Sequence, residues 1–375
     1  MDFTLRKASG FSLMRHSLVE RNKNSNLLTV ISFICGLNTQ SARAAYVSLW
    51  SRIRNFKRSQ YDKALFTDKR LIRTWLMRGT VHTVPRGEYP VYQKALESYQ
   101  VARRERGERN LEKMGFGLEP KKRTKLEDRI AELLTHDSLT INELLDETKP
   151  ILEGLPYKGK RWRIVHAVRL LSNRGIVCHA EHKGSWYHFK ENRFTSLQHW
   201  LKGHRSSKVD GNEARAKLAL KYFTGYGPAT LADFIYWSGL KSPDAKRAFE
   251  IIKSKLVEVT ISGRVNWLLA QDADILEGIP ESADYPVRFL PEFDSLVMGH
   301  KDKTRILSDE CRKKVLLRLA DVAPVFLVRG RIAGTWKHKM SDKSFELEPF
   351  EKLGKKEQTS VDEEFAGLRG FMERD

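Results

Sequence analysis

Cysteine is scarce, and its three copies, Cys35, Cys178 and Cys311, stand alone and far apart in the chain. An odd number of isolated thiols excludes a disulfide framework and any Cys-x-x-Cys redox or zinc pair. Long apolar runs are missing as well. The longest uncharged one, Leu27 to Leu37, is too short to cross a bilayer and begins too late for a secretion signal, so a cytoplasmic protein without membrane attachment is expected. There is no His-Glu-x-x-His, no P-loop and no Gly-x-Gly-x-x-Gly between a strand and a helix, which sets aside metalloproteases, P-loop enzymes and the common dinucleotide-binding enzymes. Acidic residues are in deficit. Asp and Glu number 47 against 67 Lys and Arg, a formal charge of +20, which is more than solubility requires and points to a polyanion, with nucleic acid foremost. Aromatic residues are not short, at 10% with eight Trp, which excludes a disordered basic tail. A chain of 375 residues that is 41% apolar can build two or three cores.

Periodicity predicts short helices followed by paired strands, with no strand–helix alternation of the kind that builds a parallel sheet. In the middle of the chain, helices are expected over Leu126 to Leu134, Thr140 to Lys149 and Arg161 to Asn173, closed by Gly175. Strands follow at Ile176 to His179 and Trp186 to Phe189, joined through a turn containing Lys183 and Gly184. The same order recurs in Glu213 to Phe223, Thr230 to Ser238 and Ser242 to Lys255, then strands Leu256 to Ile261 and Val265 to Leu269 flanking Ser262-Gly263-Arg264. Nearer the N-terminus a looser copy is read: helices at Asn26 to Gly36, Ala42 to Ile53 and Lys69 to Leu76, and a strand at Gly79 to Val84. The repetition lies in the order of elements and not in an alignable repeat. Arg103 to Lys125, with nine basic and four acidic residues, three Gly and one Pro, reads as a linker, as does His204 to Gly211. The expected architecture is therefore α+β and mainly helical, three tandem winged helix-turn-helix units with a C-terminal β-rich segment, divided at 1–123, 124–208 and 209–375. Beyond Ala270, strands are read at Val287 to Leu290 and Val325 to Trp336, with turns at Gly330 and Gly334. Val361, Phe365, Leu368 and Met372 then form one helical stripe that docks on the body or on a partner.

The positive charge is concentrated in Tyr157 to Arg174. Lys158, Lys160, Arg161, Arg163, Arg169 and Arg174 stand there without one Asp or Glu, along the helix in the recognition position of the middle unit. Arg161, Trp162 and Arg163 are its best backbone-contact candidates, and Lys183 and Arg264 belong to the two wing tips. The alternative is a solubilising helix face. Duplex binding by this set should weaken steeply with salt.

Gly36-Leu37-Asn38-Thr39-Gln40-Ser41 lies between two helices, with Gly36 suited to a helix end and Ser41 to the next N-cap. Side chains two apart diverge by about 200° on a helix but share a side in extended backbone, so Asn38 and Gln40 converge only if this segment is not helical. Read alone, the pair is ordinary turn and cap chemistry.

Several blocks together carry more. Asn38-Thr39-Gln40 resembles a Gln-x-Gln or Gln-x-Asp pair, and Trp75-Leu76-Met77-Arg78-Gly79-Thr80-Val81-His82 looks like a Trp-x-x-Arg-Gly-Thr-x-His signature. Tyr226 to Phe234, Leu290 to Asp294 with Gly299 and Asp302, and Gly330 to Trp336 follow in order. On these blocks the chain resembles the winged-helix DNA glycosylases of the AlkZ and YcaQ type over nearly its whole length. The resemblance implies monofunctional hydrolysis of the N-glycosidic bond of bulky N7-alkylated purines, crosslinked ones included, by a monomer acting on double-stranded DNA. Asn38 and Gln40 would be the catalytic pair, and Arg78, Thr80 and His82 the supporting residues. An N7-alkylated purine is already cationic and leaves without a general acid, so the enzyme must place a water and stabilise an oxocarbenium ion, which neutral carboxamides can do without metal or organic cofactor. Asn38 is one methylene shorter than the Gln of the family pattern. That leaves open retained activity, a shifted substrate range, or a catalytically silent winged-helix DNA-binding protein or transcription regulator. Glu292, Asp294 and Asp302 resemble a nuclease carboxylate cluster but lack a Lys partner at suitable spacing.

Overall fold

Local caps and turns place the helices of a mainly helical α+β chain. The computed structural model describes residues 2–23, 26–41, 43–186, 188–201, 209–339 and 344–373. After a short strand β1 (Asp2–Phe3) and helix α1 (Leu5–Arg15), one order of elements occurs three times. The first copy is α2 (Leu27–Phe33), β2 (Leu37–Asn38), α3 (Ala44–Arg52), α4 (Arg58–Asp62), β3 (Leu71–Trp75) and β4 (Val81–Pro85). Helices α5 (Tyr89–Ala95) and α6 (Glu97–Lys113) lead to the second: α7 (Pro120–His136), β5 (Leu139–Thr140), α8 (Ile141–Glu147), α9 (Tyr157–Asn173), β6 (Val177–Ser185) and β7 (His188–Ser196). After α10 (Leu197–Trp200) the third runs α11 (Gly211–Tyr226), α12 (Leu231–Ser238), α13 (Ser242–Ile252), β8 (Leu256–Ile261) and β9 (Arg264–Leu269). The sheets share a pattern, β2-β4-β3 and β5-β7-β6, and in the third copy Ala229 bridges to Trp267 of β9 while β1 extends the other edge at β8. Thr140 and Thr230 cap α8 and α12 through reciprocal bonds with Glu143 and Asp233.

Helix α14 (Ala273–Glu277) precedes β10 (Arg288–Leu290), α15 (Ser295–Met298), α16 (Arg312–Val315), β11 (Val325–Val328), β12 (Arg331–His338) and β13 (Phe345–Pro349), which form a four-stranded antiparallel sheet in that strand order. Helix α17 (Lys355–Glu373) docks on it, burying Val361, Leu368 and Met372 against Phe289, Phe326 and Trp336.

Several expected elements differ. Lys69 to Leu76 is not helical, because Leu71–Trp75 is a strand buried on both faces. Leu71 packs with Leu49 and Tyr61, and Ile72 with Tyr89 and Tyr222, so no apolar–polar alternation marks it. The expected linker 103–125 is mostly helical, as the end of α6 and the start of α7, and the 123/124 boundary falls inside α7. Gly107 does not loosen that helix. It admits His166 of α9, whose Cε1 lies 2.4 Å from where a Cβ would be. The second hairpin is longer than expected, with Lys183 and Gly184 inside β6 opposite Glu191 and Phe189, so Lys183 is not at the turn, and its side chain lies outside the described ones. Most of the His204 to Gly211 connector also lies outside the described residues. Ser41 does not cap α3, whose N-cap is Arg43. Gly330 makes a turn at φ +77, but Gly334 sits within β12, where the Phe326 ring fills the place of a side chain.

Two elements distant in sequence are locked together by Arg52 and Asp294, both sealed from solvent, with Nη2 to Oδ1 at 2.7 Å and Nη1 to Oδ2 at 2.9 Å. Asp294→Ala strands the guanidinium, and urea unfolding should register a loss of about 3–5 kcal/mol. An unchanged midpoint would show that water reaches Arg52.

Candidate active site

Directly opposed residues of antiparallel strands share a face. Asn38 lies opposite His82, and His82 opposite Thr74, so the three form a row across β2, β4 and β3. Asn38 is 8% exposed, whereas Gln40, just past the end of β2, is exposed. Asn38 Oδ1 accepts from the Gln40 N–H at 3.1 Å, and Gln40 Oε1 accepts from the Val81 N–H at 3.2 Å. The Thr39 N–H donates to the Val81 carbonyl at 2.8 Å. The segment is non-helical, but one carboxamide is buried and the other exposed. Each carboxamide oxygen already holds a backbone N–H, which leaves the exposed Gln40 amide as the part facing solvent. Asn38 Nδ2 and Thr74 Oγ1 are buried without a hydrogen-bond partner.

His82 is buried, and burial pushes it down to about 4, so it is neutral near pH 7. Its Nδ1, 3.0 Å from the Thr80 carbonyl, must then carry the proton, which leaves Nε2 as an acceptor. Thr80 closes its own turn through Oγ1 to the Met77 carbonyl. Arg78, at φ +55, lies over Tyr236 at 5.3 Å and keeps a buried Nη1 without a partner.

Two residues at this site were not foreseen. Arg73 is buried, and burial lowers it to about 10. Its Nη2 donates to the Thr39 carbonyl at 3.2 Å and its Nη1 to Asn192 of β7 at 2.9 Å, which fastens the 38–40 segment to the second unit. A lone Arg inside Leu71-Ile72-Arg73-Thr74-Trp75 was its signal. Lys303 is buried beside Tyr236 at 4.9 Å, and burial followed by the Arg78 charge lowers it to about 7. No local pattern marks it.

The basic set separates. Lys158 and Arg161 are exposed, Lys160 is half-buried, and Arg161 is steadied by Asn142 at 2.7 Å. Trp162 stands out at 47% exposure. Arg163, expected at the DNA, is 2% exposed and bonded to the Phe116 carbonyl at 2.6 Å and Glu108 at 2.7 Å, so it holds α6 on α9 and cannot reach a duplex. Arg169 is half-buried over Trp75 at 5.5 Å. Arg264 is exposed at the end of its hairpin and paired with Asp302. Glu292 is paired with Arg43, and Asp294 with Arg52, so the three carboxylates serve separate ion pairs. Among the described residues no cluster of metal-type ligands forms. No helix there is long and apolar enough to cross a membrane.

A family described as DNA glycosylase AlkZ-like matches residues 31–371. The chain belongs to this family and is a DNA glycosylase, a hydrolase acting on N-glycosyl bonds. The regulator alternative is thereby set aside. Among its relatives, the interstrand DNA cross-link repair glycosylase of Streptomyces sahachiroi is 24% identical over 346 residues, spanning 90% of this chain and 88% of that protein. The solved structure of the Streptomyces sahachiroi DNA glycosylase AlkZ superimposes with a TM-score of 0.80 at 23% identity, covering 99% of this chain and 97% of that one, which shows the fold.

Proposed function

We propose that the three repeated units act as tandem winged helices of one monomer that cradles duplex DNA in the cytoplasm and hydrolyses the N-glycosidic bond of bulky N7-alkylated purines, crosslinked ones included. The observation that carries this reading is the Gln40 carboxamide, exposed at the end of β2 and tethered through Val81 and Asn38. Gln40 holds water against the sugar, and Asn38, itself nearly buried, positions Gln40 through its backbone N–H. In this reading the shorter Asn side chain is an asset, since its oxygen reaches two residues along the chain as turn residues do. His82 and Arg73 fix the strands behind the pair. Lys158, Lys160, Arg161, Lys183 and Arg264 contact phosphates, and the units divide near 115–119 and 209.

The test is incubation of the protein with duplex carrying 7-methylguanine or a nitrogen-mustard crosslink, followed by measurement of free base and abasic sites. Release from both is expected, without added metal. Duplex binding with no release from either would overturn bulky N7-alkylated purines as the substrate class.

A further inference from the structure

Helix α6 packs on α9, with the Gly107 backbone against His166. Between them opens a cavity of about 390 Å³, within the range of about 300–1,000 Å³ of small-ligand sites. Arg103, Arg104, Arg106 and Arg169 line it, and among the described residues its lining holds no Asp or Glu. Glu108, beside Gly107, does not neutralise them, because its carboxylate is taken by Arg123, Arg163 and His166. Arg104 is held by Glu127 at 3.4 Å. Arg169 keeps a buried Nε without a hydrogen-bond partner, and the neighbouring Arg103 adds repulsion to the cost of its burial. In the same lining stand Trp162 and Met114, 47% and 46% exposed, large apolar groups that the core leaves uncovered.

Arg103 and Arg169, half out of water with no carboxylate in the lining, are relieved by an anion. Beside an indole with an open face, the anion that gains most is a phosphate carrying a flat base. The cavity is far too narrow for a duplex, and the exposed Lys158 and Arg161 of the same helix extend the basic track for further phosphates. We propose that the α6–α9 cavity binds one nucleotide of an unpaired DNA strand, its base on Trp162 and Met114 and its phosphate on Arg103 and Arg169. This goes beyond the glycosylase reading and is testable without a lesion.

Binding of fluorescein-labelled dT12 to the full chain is followed by anisotropy, with far-UV circular dichroism to establish that each variant is folded. Trp162→Ala should weaken dT12 about tenfold and Trp162→Phe should recover most of it, as loss and return of one stacked base. Arg103→Gln with Arg169→Gln should lower the slope of log K against log salt by about 0.7, the share of the one single-strand phosphate they hold. Gln40→Ala should bind dT12 as the native chain does, so failure of the catalytic assignment would not be confused with failure of this one. Unchanged dT12 affinity and salt slope in the Trp162 and Arg variants would overturn the proposal. So would displacement of dT12 by dTMP at matched nucleotide concentration, since that would make the ligand a free nucleotide.

Discussion

Gln40→Ala should lower release of 7-methylguanine by about 100- to 1,000-fold while leaving the affinity for lesion-bearing duplex within about twofold, the loss typical of one positioned catalytic group. The expectation follows from exposure and tethering. Gln40 is exposed, its Oε1 is fixed by the Val81 N–H, and its backbone is fixed by Asn38 Oδ1. Asn38→Ala removes that acceptor and should cost about 10- to 100-fold, because catalysis answers to displacements of about 1 Å. Asn38→Asp keeps an oxygen at the same reach and should retain more activity than Asn38→Ala. If Asn38 instead touched the sugar directly, the carboxylate would stabilise the oxocarbenium ion, and Asn38→Asp would match or exceed the native rate. Single-turnover release and anisotropy on the same duplex measure both quantities. A Gln40→Ala protein that works at the native rate ends the assignment, and joint loss of binding and release would mean that the 38–40 segment is only structural.

Acid should unfold this protein earlier than its carboxylates alone would require. Burial pushes His16, His82 and His300 from 6.5 to about 3, 4 and 3, so all three are neutral in the folded chain. The unfolded chain takes up three protons as pH falls through 6.5, whereas the folded chain does not until pH 4 and below. The stability they contribute is therefore complete above about pH 6.5 and is lost on acidification, at about 1.4 kcal/mol per pH unit for each histidine. Together they should remove about 6 kcal/mol by pH 5, against the roughly 5–15 kcal/mol that keeps a domain folded. Urea midpoints between pH 7.5 and 5 measure this, and His300→Gln should reduce the slope by about one quarter, because buried His179 is also held well below 6.5 and adds a fourth equal share. A midpoint that stays level to pH 5 would show that these rings are hydrated.

Legibility in the sequence followed locality. Thr140 and Thr230 cap their helices as their spacing to Glu143 and Asp233 suggests, and Gly175 turns at φ +74 after α9. The strands at Leu256–Ile261 and the α17 stripe are where alternation and helical periodicity put them. Leu71–Trp75 was misread because burial on both faces erases alternation, and α6 because its charged residues and Gly107 resemble a linker when His166 is unseen. At the candidate site, the extended course of Asn38–Gln40 could be reasoned from the need for convergence, but which of the two carboxamides stays in water could not.

Charge shows the division most clearly. Sequence by itself determined that the chain is basic, is built from helices with paired strands, and carries a carboxamide pair in a bend, since composition, capping and periodicity are properties of neighbouring residues. Only the tertiary structure decided that Arg163 belongs to Glu108, 55 positions away, and Arg52 to Asp294, 242 positions away, while Arg161 and Trp162 remain in solvent. Whether a charge binds a ligand or a neighbour depends on what chain packing brings within about 3 Å of it and strips of water, and no local pattern encodes that.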